Sequence, residues 1–70
     1  MLHNLEAELA REGINKAQIA RLLRISNRAV YDKIHGRTKF TTDQAILIQK
    51  TYFPNKSIEY LFEPKEGRAL

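Results

Sequence analysis

Three polar residues, each placed before a run with helical spacing, constrain the fold of this chain more than any other feature: Asn15, Ser26 and Thr41. The side-chain oxygens of such residues cap helices by accepting hydrogen bonds from backbone N–H groups that the first helical turn leaves unpaired. Gln18 and Gln44 follow the first and third caps by three residues and complete capping boxes, whereas Ala29 cannot do so after the second. The predicted helices are Lys16–Leu23, Asn27 to about His35, and Thr42–Tyr52.

Weaker signals predict one further helix at each end of the chain. A leucine stripe over residues 4–12 indicates the first helix, which Gly13 can close in the left-handed conformation. The charged side chains of this helix are expected to face outward: Glu6, Glu8 and Arg11. Ser57 caps a short fifth helix over residues 58–62. Since no run alternates with the period of a strand, we predict an all-α, compact five-helix domain over residues 1–62 and a mobile tail over 63–70.

The predicted core consists of apolar residues on the inner faces of these helices: Leu5, Leu9, Ile19, Ala20, Leu22, Leu23, Ile25, Val30, Ile34, Phe40, Ala45, Ile46, Ile48, Leu61 and Phe62. We expect the late aromatic residues to pack in the interior, with a dimer surface as the alternative. They are Tyr52, Phe53, Tyr60 and Phe62. The fifth helix and the loop over residues 53–55 are the predicted candidates for a dimer surface.

Length and composition argue against an enzyme. Seventy residues make one small domain, in which an active-site cavity would reduce an already marginal core. The chain has no Cys, which removes disulfides and thiolate ligands, and its two His are too distant in sequence to indicate a metal site. Ser26, Asp32 and His35 have the residue types of a hydrolytic triad, but they share one short helix and the serine is explained as a cap. We therefore expect no catalytic residues, no metal and no cofactor.

The compartment is predicted from what the chain lacks. Its longest apolar run, residues 45–48, is too short for a membrane span, and the N-terminus lacks the order of a signal peptide. A composition without Cys suits a reducing environment. We expect a cytoplasmic protein.

Positive charge is concentrated in the segment that holds the second and third helices. Residues 16–39 contain seven Lys or Arg and one acidic residue, whereas the other 46 residues contain five basic and seven acidic groups. The formal charge of the whole chain is +4. This distribution predicts an anionic partner that binds the second and third helices.

The connection between those two helices consists of Arg24, Ile25 and Ser26. A turn of this length is typical of a helix-turn-helix. The third helix would hold Val30 and Ile34 inward, four residues apart, and leave polar residues on its remaining face. Because an α-helix fits the major groove of DNA, this arrangement favours the recognition of base pairs.

Several segments, in this order and spacing, resemble one protein family: Ile14 to Ser26, Ala29-Val30, His35-Gly36-Arg37, residues 40–45 and residues 57–62. Together they resemble the phage Cro and repressor type of helix-turn-helix protein over residues 5–62, nearly the whole chain. The resemblance implies a lambda-repressor-like DNA-binding fold. It also implies that the N-terminal part of the third helix enters the major groove while the preceding helix crosses the backbone.

The resemblance further implies that Asn27, Arg28 and Asp32 contact base edges. Arg28 can donate two hydrogen bonds to guanine, and Asn27 can pair in the same way with adenine. Asp32 can accept from cytosine or can orient Arg28, and we favour orientation because phosphates repel a carboxylate; an ordinary surface ion pair is the plain alternative. Tyr31 can meet a thymine methyl group or a phosphate.

A second set of residues is assigned to the DNA backbone, where contacts give affinity and register without selecting sequence. Lys16 matches the family's phosphate contact at the start of the second helix, and the loop after the third helix matches another. The predicted phosphate contacts are Lys16, Arg24, Ser26, Arg37, Thr38 and Lys39. For Arg21 and Lys33, phosphate contact and simple solvation are equally open.

Two positions depart from the family's pattern. Arg24 stands where the family commonly has Gly, and a left-handed conformation there would cost on the order of 1 kcal/mol relative to Gly. Contact of Arg24 with phosphate is one compensation, and an uncompensated strained turn is the other possibility. Lys16 stands where the family frequently has Gln, which favours a phosphate role over a polar groove contact.

The predicted function is that of a sequence-specific double-stranded DNA-binding transcriptional regulator of phage or prophage type, which occupies an operator as a homodimer. Two alternatives remain open: an antirepressor or protein-interaction module of the same fold that binds another repressor, and a nonspecific basic nucleic-acid binder. Fold alone does not separate them. Asp32 among the base contacts and Arg24 in the turn keep the interaction module open.

Overall fold

A computed structural model describes residues 1–64, and within that range the chain forms five α-helices and no strand. The helices are α1 His3–Glu12, α2 Lys16–Leu23, α3 Asn27–His35, α4 Thr42–Tyr52 and α5 Ile58–Leu61. The predicted all-α class is confirmed, and each predicted helix boundary agrees with the structure to within one residue. Of the tail predicted over residues 63–70, all but the first two residues lie outside the described part of the chain.

The helices begin where the predicted caps stand. In the first capping box the Asn15 Oδ1 accepts from the Gln18 N–H at 2.9 Å, and the Gln18 Oε1 accepts from the Asn15 N–H at 2.9 Å. Thr41 and Gln44 form the same reciprocal pair at the start of α4. The Ser26 Oγ accepts from the Ala29 N–H at 3.0 Å without a box. A cap of this kind stabilises a helix by about 1 kcal/mol, which explains why α2 and α3 separate at a serine.

Three helices end on a residue in the left-handed conformation. Gly13 has φ 70° and Gly36 has φ 90°, where the absence of a Cβ removes the steric cost. Arg24, with φ 60° and ψ 43°, is the single non-glycine residue with positive φ between residues 1 and 64. Its N–H donates to the Ala20 carbonyl, and so does that of Ile25 at 3.0 Å. These bonds close α2 and turn the chain toward α3.

One apolar cluster lies at the centre of the described helices: Leu5, Leu9, Ile19, Ala20, Val30, Ile34, Ile48, Phe53 and Leu61. Around it α1 packs against α3 and α5, α2 packs against α3 and α4, and α4 packs against α5. Several residues predicted for the core are only partly buried: Leu22, Leu23, Ile25, Phe40, Ile46 and Phe62. All of them except Ile46 pack against this cluster. The result is a compact helical domain in which α3 is held by two fully buried side chains.

The outward orientation predicted for Glu8 is wrong. Glu8 is only 2% exposed. Its Oε2 accepts a hydrogen bond from the Tyr60 hydroxyl at 2.8 Å. The Arg11 Nε lies 3.3 Å from the Glu8 Oε1, and the Lys56 Nζ lies 4.0 Å from the Glu8 Oε2. Glu8 follows Leu5 by three residues, so it shares the leucine face of α1 that packs against α5. The hydrogen bond to this carboxylate raises the pKa of Tyr60 above its usual value, and burial and charge repulsion act in the same direction.

The loop over residues 53–55 is buried at its start and exposed beyond it. Phe53 is 4% exposed, which confirms the interior packing expected for this aromatic residue, whereas Pro54 and Asn55 are exposed. Gln49 fixes this loop because its Nε2 donates to the carbonyl of Phe53 at 3.2 Å and to that of Lys56 at 2.9 Å. The loop is thus held against α4 by a side chain whose role the sequence did not reveal.

Candidate nucleic-acid interface

Helix α3 has two chemically different faces. Val30 and Ile34 are 0% exposed and hold it against the core. Asn27, Arg28 and Tyr31 are exposed on the other side, and we call these three residues the outer face of α3. Because the Arg28 side chain is 71% exposed, it can meet a ligand without any rearrangement of the fold.

Asp32 is held between two arginines. Its Oδ1 accepts a hydrogen bond from the Arg28 Nε at 3.2 Å, and the Arg37 Nη1 lies 3.6 Å from the same oxygen. This bond uses the Nε donor of Arg28, and the terminal amino groups of a guanidinium are further donors that can bond to two acceptors on one base. This geometry supports the orienting role for Asp32 over direct acceptance from cytosine.

Aromatic contacts further restrict the outer face of α3. The guanidinium carbon of Arg28 lies 5.6 Å from the centroid of the Tyr31 ring, and that ring lies 4.0 Å from the His35 ring in a tilted arrangement. A cation over an aromatic face is attracted by the ring quadrupole. The Arg28 guanidinium therefore interacts with both Asp32 and Tyr31. The part played by His35 was not predicted.

The loop after α3 stays attached to the end of that helix. The Asp32 carbonyl accepts from the Arg37 N–H at 2.9 Å and from the Thr38 N–H at 3.5 Å. Gly36 makes this fold-back possible through its positive φ. The side chains of Arg37, Thr38 and Lys39 are exposed beside the outer face of α3.

The turn before α3 presents two more predicted phosphate contacts. Arg24 and Ser26 are both exposed. The Ser26 Oγ already accepts from the Ala29 N–H, so its hydroxyl proton is available to donate to an anionic oxygen. Both ends of α3 thus offer polar donors to solvent.

The two lysines of this region have partners within the protein. The Lys16 Nζ lies 3.7 Å from the Glu6 Oε2, with both side chains about one-third exposed, and such surface pairs contribute little to stability. The Lys33 Nζ donates to the Lys39 carbonyl at 3.0 Å and lies 6.0 Å from the Phe40 ring. Lys33 therefore supports the loop after α3. This role differs from both of those left open by the sequence, which were simple solvation and phosphate contact.

Between residues 1 and 64 no group of three or more His, Asp or Glu is placed to hold a metal ion. None of the described helices has the length and apolar character needed to cross a membrane. Comparisons with protein-family models, curated proteins and solved structures gave no match to this chain.

Proposed function

We propose that this chain is a sequence-specific double-stranded DNA-binding transcriptional regulator of phage or prophage type, with the lambda-repressor-like form of the helix-turn-helix. The observation that supports this most is the polarity of α3, which buries Val30 and Ile34 completely and leaves Asn27, Arg28 and Tyr31 in solvent. A helix anchored on one side and polar on the other has the shape and chemistry for the major groove. We infer no catalytic role and no cofactor.

The base contacts in this proposal are Asn27, Arg28, Tyr31 and Asp32. Arg28 donates through its two terminal amino groups to guanine O6 and N7, and Asn27 pairs with adenine N6 and N7. Asp32 acts by holding the Arg28 Nε, at 3.2 Å in the free protein. Tyr31 packs against a thymine methyl group or reaches a phosphate.

The phosphate contacts lie on both sides of this group: Lys16, Arg24, Ser26, Arg37, Thr38 and Lys39. Lys16 stands at the first position of α2, where the helix dipole adds its own attraction for an anion. To reach DNA it gives up its contact with Glu6, which is weak at 3.7 Å. These contacts set affinity and register, and they make binding depend on salt.

A homodimer on a pseudo-palindromic operator completes the proposal, because one α3 helix contacts only a few base pairs. Two copies related by a two-fold axis would place their α3 helices in successive major grooves, roughly 34 Å apart. Occupation of the operator would then control access to a promoter. The exposed part of α5 and its preceding loop are the surfaces we assign to dimer contact.

An antirepressor or protein-interaction module is the second candidate, and a nonspecific basic nucleic-acid binder is the third. The carboxylate of Asp32 near the outer face of α3 favours a protein partner, but its contacts with Arg28 and Arg37 offset its charge. A nonspecific binder would not need the contacts of Asp32 and Tyr31 with Arg28. The three candidates differ in how binding depends on salt and on sequence.

Fluorescence anisotropy with an operator duplex and a random duplex over a range of salt concentrations tests the proposal. Affinity should fall steeply with salt, while preference for the operator persists. Arg28→Ala should relax preference at one base pair, at a cost of about 1–3 kcal/mol, whereas Lys16→Ala should weaken all duplexes alike. Lys50→Ala removes an exposed cation of α4 outside the proposed interface and serves as the control. Equal losses from Arg28→Ala and Lys16→Ala on every sequence would refute base recognition.

A further inference from the structure

An open groove of about 580 Å³ lies beside the proposed DNA contacts, between the loop after α3, the first half of α4, and α5. Its floor consists of apolar side chains that are only partly buried: Leu2, Phe40, Ile46, Ile58 and Phe62. The rings of Phe40 and Phe62 meet edge to face, 5.4 Å apart. Apolar side chains gathered in one concavity and left accessible to water are typical of a binding site.

The charged side chains at the rim of this groove have one sign. Lys33 and Lys39 line it, and no Asp or Glu does so within the described part of the chain. The Lys33 Nζ is fixed there by its hydrogen bond to the Lys39 carbonyl at 3.0 Å, and it lies 6.0 Å from the Phe40 ring. An ammonium group has three N–H donors, so two remain for a ligand. The groove therefore combines an apolar floor with cations at its edge.

This combination selects among possible occupants. DNA phosphates are bound by cations and polar donors, and they have no use for an apolar floor. A polypeptide segment that carries carboxylates beside large apolar side chains matches both features, since its apolar residues cover the floor and its acids meet the lysines. The charge of the groove thus favours an acidic amphipathic peptide.

We propose that this groove binds an acidic amphipathic segment of a partner protein and that the bound segment excludes duplex DNA. Exclusion follows from position, because Thr38 and Lys39 line the groove and are also proposed phosphate contacts. The exclusion of DNA rests on the proposed function, whereas peptide binding itself does not. A partner of this kind would release the protein from its operator.

Selection from a random twelve-residue peptide library on the immobilised full-length protein tests the occupant. We expect enriched peptides to contain Asp or Glu together with at least two large apolar residues. A synthetic copy of one such peptide should bind the wild type at least about tenfold more tightly than Ile46→Glu, which introduces a like charge into the groove. Leu47→Glu makes the same change at the adjacent, 42% exposed residue outside the groove and should bind like the wild type.

Thr42→Glu provides a second groove variant that does not alter the apolar floor, because Thr42 is exposed and lines the rim. Thr42→Glu should lower the affinity for the peptide, as Ile46→Glu does. Thr51→Glu places the same charge at an exposed position at the other end of α4 and serves as the control. Failure to enrich peptides, enrichment of peptides without acids, or equal binding to all four variants would overturn the proposal. Self-association of the free protein that Ile46→Glu abolishes would also overturn it, since a second copy would then be the occupant.

A competition arm separates this inference from the proposed function. The selected peptide should displace a labelled duplex from the wild type and should fail to do so from Thr42→Glu at the same concentration. A complex that holds peptide and duplex together would refute exclusion. If the protein bound the peptide but no duplex, the groove would stand as a peptide site while the DNA-binding proposal failed.

Discussion

Replacement of Arg24 by Gly should stabilise the protein and weaken its binding to DNA. Arg24 has φ 60° and ψ 43° at the end of α2, in the left-handed region that costs a non-glycine residue about 1–2 kcal/mol. Glycine removes this cost, but the greater freedom of its unfolded chain offsets about 0.5–1 kcal/mol. The net gain in unfolding free energy then lies in the range of about 0–1.5 kcal/mol, and its midpoint of about 0.75 kcal/mol raises the Tm of a domain this small by about 3–6 °C.

Two matched variants separate strain from charge at this position. Arg24→Ala removes the charge and keeps the strain, whereas Arg24→Lys keeps both. Thermal unfolding followed by circular dichroism should show a higher Tm for Arg24→Gly alone. Anisotropy titrations with operator DNA should show equal weakening for the Gly and Ala variants and near-normal affinity for Lys.

Two results would contradict this account of Arg24. A Tm increase in Arg24→Ala as large as that in Arg24→Gly would mean that the charge, and not the backbone conformation, carries the cost. Unchanged DNA affinity in both neutral variants would remove Arg24 from the proposed phosphate contacts and leave an uncompensated strained turn.

Three further predictions concern the faces of α3 and the pair between α1 and α5. Ile34→Ala should lower the unfolding free energy, measured by urea denaturation, by about 2–5 kcal/mol, whereas Tyr31→Ala should change it by less than about 1 kcal/mol. Similar losses of unfolding free energy in the two variants would contradict the orientation of α3. Asp32→Ala should raise affinity for random duplex and lower operator preference in anisotropy titrations, because it removes both a repulsive carboxylate and the acceptor that holds the Arg28 Nε. An unchanged ratio of affinities would argue against this positioning of Arg28. The hydrogen bond to Glu8 raises the pKa of Tyr60 above 10.0, the value for the unfolded chain. This bond therefore stabilises the folded protein below pH 10, and the stabilisation is lost as pH rises through the pKa of Tyr60 in the folded state. Denaturation at neutral and alkaline pH should show a larger alkaline loss in the wild type than in Tyr60→Phe, and equal losses would exclude this linkage.

The parts of the fold that the sequence predicted depend on contacts within a few residues. Asn15, Ser26 and Thr41 bond to backbone N–H groups three residues later, so each helix start follows from local chemistry alone. The two faces of α3 follow in the same way from the four-residue spacing of Val30 and Ile34.

The parts that sequence reasoning missed depend on distant partners. The buried Glu8 carboxylate accepts from Tyr60, 52 residues away, and no local pattern marks that pair. The place of Glu8 on the leucine face of α1 is the available signal, but a carboxylate on a helix is usually exposed. Gln49 holds the loop after α4 by donating to the carbonyls of Phe53 and Lys56, and no local pattern marks these bonds. The left-handed conformation of Arg24 was suggested only by the resemblance to a family that commonly has Gly at this position, since an arginine by itself gives no sign of it.

Selection of bound sites from a random duplex pool tests most directly whether the outer face of α3 recognises base pairs. The wild type should enrich a pseudo-palindromic motif, and Arg28→Ala should lose the preference at one base pair of each half-site while it keeps the rest. Absence of any enriched motif, or an unchanged motif with Arg28→Ala, would contradict recognition of base pairs by this face.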